Sequence, residues 1–387
     1  MPWHKRLLLR TAAITGSAAL LTSGSQPTRA AAPLELLYRF ATGFEEPSSG
    51  LVQGADGALY GTTIAARRDA VGTIYRLLDG RLTTLHTLTP AEGPFSGISL
   101  VLADDDNLYG TTGPPPGVPF GGTLFQVTPS GRFSIVHRFS GTKPTGSLLQ
   151  AIDGNFYGTM YGSGNLESAI FRITRTGEVS VLRAFLGATE GAPNSLMQAR
   201  DGYLYGTTAT GGGGFSAGTI FGMSLTGGFA VLHSFQNGRT DEGVGPVGVT
   251  QGLDGSLWVT TSGGGGPDVA FLGRGGANPF MGTVFRLAPD RRFVTVHRFN
   301  GFDGATPLHP LVEGGDGYLY GTTSAGGPYT VGTIFRINPQ RGLSTVQEMT
   351  TPGVFLPLLR GRDGNIYGVR TGAMQGPSMI FRLSVKP

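Results

Sequence analysis

The sequence predicts an all-β chain folded as a seven-bladed β-propeller with four-stranded blades. Three observations predict it. Of 387 residues, 66 are glycine and 25 proline, and only 14% are charged, a composition suited to short strands and turns. From Leu34 onward no long stretch carries apolar side chains at the 3.6-residue period of a helix, while short alternating runs are everywhere. One octet, DGYLYGTT, stands at Asp201 to Thr208 and again, letter for letter, at Asp316 to Thr323. Such self-similarity at a fixed period marks a repeat architecture.

The first 32 residues are a different kind of text. Lys5, Arg6 and Arg10 precede a small and apolar run, Thr11 to Thr22, and a polar stretch then leads to Ala30, Ala31 and Ala32. This predicts a signal peptide over 1–32, cleaved near Ala30 to Ala32, and a single propeller domain over 33–387. The apolar run falls short of the ~20 residues that span a bilayer. The leader holds four of the 29 Lys and Arg and no acid, so the remainder carries 25 basic and 25 acidic residues. The sequence pI of about 9.4 therefore belongs largely to the leader, which argues against a nucleic-acid partner. With zero cysteines in an exported chain, stability must come from a large core or a closed architecture.

The octet recurs in weaker form as DGALYGTT (56–63), DDNLYGTT (105–112), DGNFYGTM (153–160), DGSLWVTT (254–261) and DGNIYGVR (363–370). The seven central aromatics, from Tyr60 to Tyr367, are spaced by 49, 48, 48, 53, 62 and 47 residues. A second signature follows each octet, as in GTIYRL (72–77) or GTIFRI (332–337), then a third, as in SIVHRF (134–139). A fourth precedes the octet, as in GSLLQA (146–151). Four strands per unit of this length describe a propeller blade, whereas a solenoid would use shorter units and capping ends. LELLYRF (34–40) matches the outermost strand, and the last unit ends after its third. The first strand is thus expected to complete blade seven and close the ring.

These repeats resemble the GloVer tandem-repeat family of exported bacterial proteins, with its DGxLYGTT, GTxF and LHSF-like wording, from about Leu34 to Leu383. The resemblance implies varied cell-surface anchoring and no common catalytic residues. After Leu383 only SVKP remains, which leads us to expect a released protein, secreted or periplasmic, with no membrane span in the mature chain.

Each D-G pair is expected to form a two-residue hairpin with both residues at positive φ. Gly206 is expected to admit a ring from the neighbouring blade. The link from third to fourth strand is equally short, so the links of varying length all open on the other face. Recognition is expected there. Blade five has the longest such link, SGGGGPDVAFLGRGGANPFMG (262–282). It lacks the strand, loop and helix order and the Gly-Lys-Ser/Thr of a phosphate cradle, and reads as a flexible insertion or a loop over an extended ligand.

In a repeat protein, chemistry is sought where one unit departs from its siblings. His86, His137, His233 and His297 share one place in the outermost strands and are structural, while His309 stands alone at an innermost strand. Arg370 replaces the last threonine of its octet on the same face, one blade on. As base and anion clamp these two, with Tyr329, would compose the catalytic set of an enzyme acting on a glycan, either a polysaccharide lyase or a glycoside hydrolase. The other reading is a binding module. Its ligand residues would be Tyr161, Arg239, Asp241, Asp268, Arg274 and Asp303, with the tyrosines as sugar platforms, and Asp303 also reads as a turn residue. No two carboxylates can be paired at glycosidase separation from sequence. No calcium loop, transition-metal spacing or nucleophile elbow is present, so no metal and no cofactor is expected. The leading expectation is a monomeric module that binds an extracellular polysaccharide or protein.

Overall fold

The computed structural model describes residues 34–41, 45–65, 72–115, 117–162, 168–212, 216–236, 242–264, 281–372 and 376–385. The signal-peptide expectation falls outside them. Seven antiparallel sheets follow one another along the chain, each with the short strand before the octet on one edge and the LHSF-like strand on the other. Blade seven takes its outermost strand from the start of the domain: Leu34–Arg39 pairs antiparallel with Met379–Leu383, from Leu34 opposite Leu383 to Arg39 opposite Met379. The ring closes as the sequence predicts. A single helical turn, Gly187–Glu190, sits in the link from blade three to blade four.

The octet builds this frame residue by residue, and two expectations about it need correction. The turn is four residues long, not two: Gly202 N–H donates to the carbonyl of Ala199 at 3.0 Å, so glycine takes the fourth place. Only Gly202 has positive φ, at 82°. Asp201 stays on the ordinary side because its Oδ1 accepts the N–H of Tyr203 (3.0 Å), an Asx turn. Its other oxygen accepts the hydroxyl of Tyr205 at 2.7 Å. Burial first, and then this carboxylate, push that hydroxyl's pKa up to about 12. Tyr109, Tyr157, Tyr320 and Tyr367 repeat the bond with their own aspartates. Trp258 cannot, and Arg286 reaches Asp254 instead at 2.6 Å.

The glycine two places before the octet's end is covered by a ring of its own blade. A Cβ on Gly206 would lie 2.4 Å from Cζ of Phe221, its direct cross-strand partner on the third strand. The neighbouring blade's ring meets Phe221 at a tilt instead: Phe185, which ends the outermost strand before it, is 5.8 Å away. The same contact between successive blades recurs as Phe139 with Phe171, Phe235 with Phe285, Phe299 with Phe335 and, across the closure, Phe40 with Tyr75 at 5.7 Å. The core is accordingly a circuit of clusters, each shared by two blades. Leu204 packs towards blade three and Tyr205 towards blade five, as strand alternation requires.

One ring position, three residues before the octet, is glutamine in blades one, three, four and five and stitches the inner strands. Gln198 accepts the N–H of Ile152 from the preceding blade (2.8 Å) and donates to Gly202 of its own turn (2.9 Å). Gln251 does the same with Arg200 and Gly255, and Gln53 reaches Arg362 across the closure at 2.7 Å.

Candidate functional site

Because the strands of every blade pair antiparallel, all links of varying length emerge on one face. Five blades seal that end of the second and third strands with paired threonine hydroxyls, for example Thr208 with Thr219 (2.9 Å) and Thr323 with Thr333 (3.0 Å). Blades three and seven do not. Met160 stands opposite Ala169 and Arg370 opposite Met379: both members of the pair change together.

Arg370 is buried, 3% exposed. It donates to Thr351 Oγ1 at 3.1 Å and to the Thr351 carbonyl, while its Nε has no partner. No carboxylate among the described residues pairs with it, and burial lowers its pKa. It stands opposite Phe355 in the register, with its guanidinium 5.7 Å from that ring's centroid.

His309 lies where the innermost strand of blade six is interrupted, between Ala305–Pro307 and Val312–Glu313. Its Nε2 is 2.8 Å from the carbonyl of the same Phe355. A carbonyl only accepts, so Nε2 carries the proton and the neutral ring keeps its lone pair on Nδ1. Burial lowers the imidazole's pKa against the opposing pull of the carbonyl. Phe355 is thus where the two departures from the repeat meet, one on its carbonyl and one at its ring. Asn194, His309's sibling in blade four, makes the same tie, donating to the Pro246 carbonyl at 2.9 Å.

Four carboxylates of this face hold links in shape. His297 Nε2 lies 2.9 Å from Asp303 Oδ2, and Asp303 Oδ1 accepts the N–H of Asn300 (3.0 Å). His86 with Glu92 (3.2 Å), His233 with Glu242 (3.6 Å) and Arg183 with Glu190 repeat the arrangement. His86 and His233 also stack on the first ring of the next outermost strand, Phe133 and Phe293, at 4.0 and 3.8 Å. In blade three Arg183 takes the histidine's place and lies over Phe229 at 4.6 Å. Asp303 therefore serves as a link residue, and no group of three metal-binding side chains occurs among the described residues. Arg239, Asp241, Asp268 and Arg274 lie outside the described residues, as does the greater part of the blade-five insertion.

Tyr161 and Tyr329 are exposed, as platforms must be, at 49% and 57%. Sequence reasoning missed Phe302, more exposed still at 69%, at the tip of the link entering blade six. The signal was legible: an aromatic residue set inside a glycine turn, GFDG. Also missed was Glu313, which takes the ring glutamine's place in blade six. It cannot donate to its own turn, and its Oε1 is buried without a partner. Arg200 and Arg360 stay 3.8 and 4.0 Å from its other oxygen, and burial raises its pKa.

The profile of the Gloeobacter/Verrucomicrobia repeat matches residues 25–214 and again 192–387, and the chain belongs to that family. No curated protein is similar enough in sequence to count as a relative. Among solved structures it is similar to a catalytically inactive virginiamycin B lyase from Staphylococcus aureus solved with quinupristin, at 16% identity and a TM-score of 0.59 over 91% of this chain and 99% of that one. A streptogramin B lyase gives 15% and 0.58 over 90% and 97%. An oligogalacturonate lyase in complex with manganese gives 14% and 0.55 over 90% and 99%. At such identities the likeness defines the architecture alone.

Proposed function

We propose that this protein is an exported, monomeric recognition module that binds an extracellular glycan on the face carrying the variable links. The observation that carries this reading is where exposed rings sit. Of the four aromatic rings at least 49% exposed among the described residues, Tyr161, at the end of a second strand, and Phe302 and Tyr329, on links, belong to that face, and Tyr203 alone belongs to the opposite, turn face. Exposed aromatic surface held on rigid turns is binding surface with little ordering cost left. The balanced charge of the chain after its leader argues against nucleic acid, and no helix among the described residues is long and apolar enough to cross a membrane. A protein ligand would use the same face.

A second reading, an enzyme acting on an acidic polysaccharide, has one observation in its favour. The Phe355 carbonyl orients His309 so that Nδ1 is the free basic atom, with the Arg370 cation beyond the same residue. The experiment is affinity electrophoresis of the mature protein in gels containing polysaccharides, with ultraviolet absorbance to detect unsaturated product. Retardation without product supports the module. Product formation that is lost in His309→Asn, whose amide can still tie to Phe355 as Asn194 ties to Pro246, supports the lyase. Product that persists in that variant excludes His309 as the base, and absence of both signals counts against any glycan ligand.

A further inference from the structure

Among the described residues, blade six concentrates features that the other blades do not combine. Three of its segments on the link face each expose a large apolar side chain: Phe302 from the incoming link, Leu308 (38%) from the break in the innermost strand, and Tyr329 from the link between second and third strands. Each is fixed from beneath. Phe302 N–H donates to Asn300 Oδ1 at 2.9 Å, and Asp303 anchors the same turn to His297. Tyr329 is held in a turn closed by Thr330 N–H on the Gly327 carbonyl (3.0 Å), and Gly327 N–H in turn donates to Gly301 at 2.8 Å, joining the two links. Thr306 and Thr330 have φ of 56° and 61°, and both lie in this blade, beside Leu308 and Tyr329. A β-branched residue is strained at positive φ, and such strain persists where the surroundings over-determine it, which functional sites do most often.

We infer that these side chains form a sugar-binding strip on blade six, running from Phe302 and Tyr329 to Leu308 at the channel mouth, and that it takes the uncharged faces of pyranose rings in a neutral polysaccharide. This rests on the glycan-binding reading above and narrows it. The charge content selects the occupant. Across 300–311 and 323–333 the only Asp, Glu, His, Lys or Arg residues are Asp303, already engaged with His297, and His309, whose Nε2 is engaged with Phe355. A polyanion or a charged peptide would find no counter-charge on these segments. The flat, mostly C–H face of a pyranose needs none, and an aromatic ring offers it wide apolar contact at small cost in side-chain entropy.

The test is affinity electrophoresis of the full mature chain against neutral polymers (a soluble β-glucan, a galactomannan, a xylan) and acidic ones (polygalacturonate, alginate), at low and high salt. Wild type, Phe302→Ala, Tyr329→Ala and the distant Tyr203→Ala are compared, with melting temperatures as the folding control. Retardation by a neutral polymer, insensitive to salt and weakened at least about tenfold by either strip substitution but not by Tyr203→Ala, is the expected result. Retardation confined to the acidic polymers, or unchanged in both strip variants, overturns the strip and leaves the glycan-binding reading standing. No retardation by any polymer overturns both.

Discussion

At the scale of single residues, the positions that break the repeat divide into those whose sibling explains them and those that carry an unrelieved cost. His309 is of the first kind. Its bond to Phe355 matches that of Asn194 to Pro246, so His309→Asn should fold normally, while His309→Ala should lose about 1 kcal/mol. The folded-state pKa is depressed, so the stabilising neutral ring is fully present above the ordinary histidine value of about 6.5 and is lost as pH falls through the folded value. Melting temperatures measured from about pH 7 down to about pH 5 should therefore fall more steeply for wild type than for His309→Asn. Equal slopes would show that the imidazole does not titrate in this tie.

Glu313 and Arg370 are of the second kind. Burial raises the Glu313 pKa, so its ionised form costs stability; the cost is absent below the unfolded value near 4.3 and grows as pH rises through the folded one. Glu313→Gln restores the ring glutamine and should stabilise the fold by about 1 kcal/mol at neutral pH. In acid the gap should close, as denaturant midpoints at about pH 7 and about pH 4 would reveal. Arg370 has a natural replacement in Met160, its buried sibling in blade three. A buried guanidinium without a carboxylate exchanged for an apolar chain of similar length should raise stability by about 1 to 4 kcal/mol. If Arg370→Met were strongly destabilising, the bonds to Thr351 would outweigh the desolvation they accompany.

At the scale of elements, the sequence disclosed the strands and their order but not what each position touches. Seven copies of the octet made the second strand unmistakable, and the alternation of Leu204 and Tyr205 towards opposite neighbours followed from strand geometry. The turn type did not follow, because it is decided by the Asp201 side chain bonding two residues on, a choice that the D-G pair alone leaves open. The ring over Gly206 was misassigned because cross-strand register is a three-dimensional fact. That contact makes a sharp comparison: Gly206→Ala sets a methyl against Phe221 and the Ser195 carbonyl, both 2.4 Å away, and should cost at least about 2 kcal/mol. Gly202→Ala meets no atom within 4 Å and pays only for its φ of 82°, about 1 kcal/mol. The site was less legible than the fold. A pattern search finds His309 and Arg370 as exceptions, but the exposure of Phe302 and the strain at Thr306 and Thr330 exist only once the links are folded.

At the scale of the whole molecule, closure makes the first strand an interior element. In a linear array Phe40 would belong to a fraying end; here it meets Tyr75 of blade one as Phe235 meets Phe285. Phe40→Ala and Phe235→Ala should therefore cost alike, about 3 to 5 kcal/mol each by denaturant unfolding. A markedly cheaper Phe40→Ala would mean that the ring opens at its closure before the rest unfolds. The closed frame also gives the molecule two unlike faces, one nearly constant and one variable, and the central claim is that recognition belongs to the variable one. Amide hydrogen exchange with and without the polysaccharide that retards the protein most is the direct measurement. Protection concentrated in 300–309 and 323–332 is the predicted result, and protection confined to the Asp-Gly turns of the opposite face would contradict it.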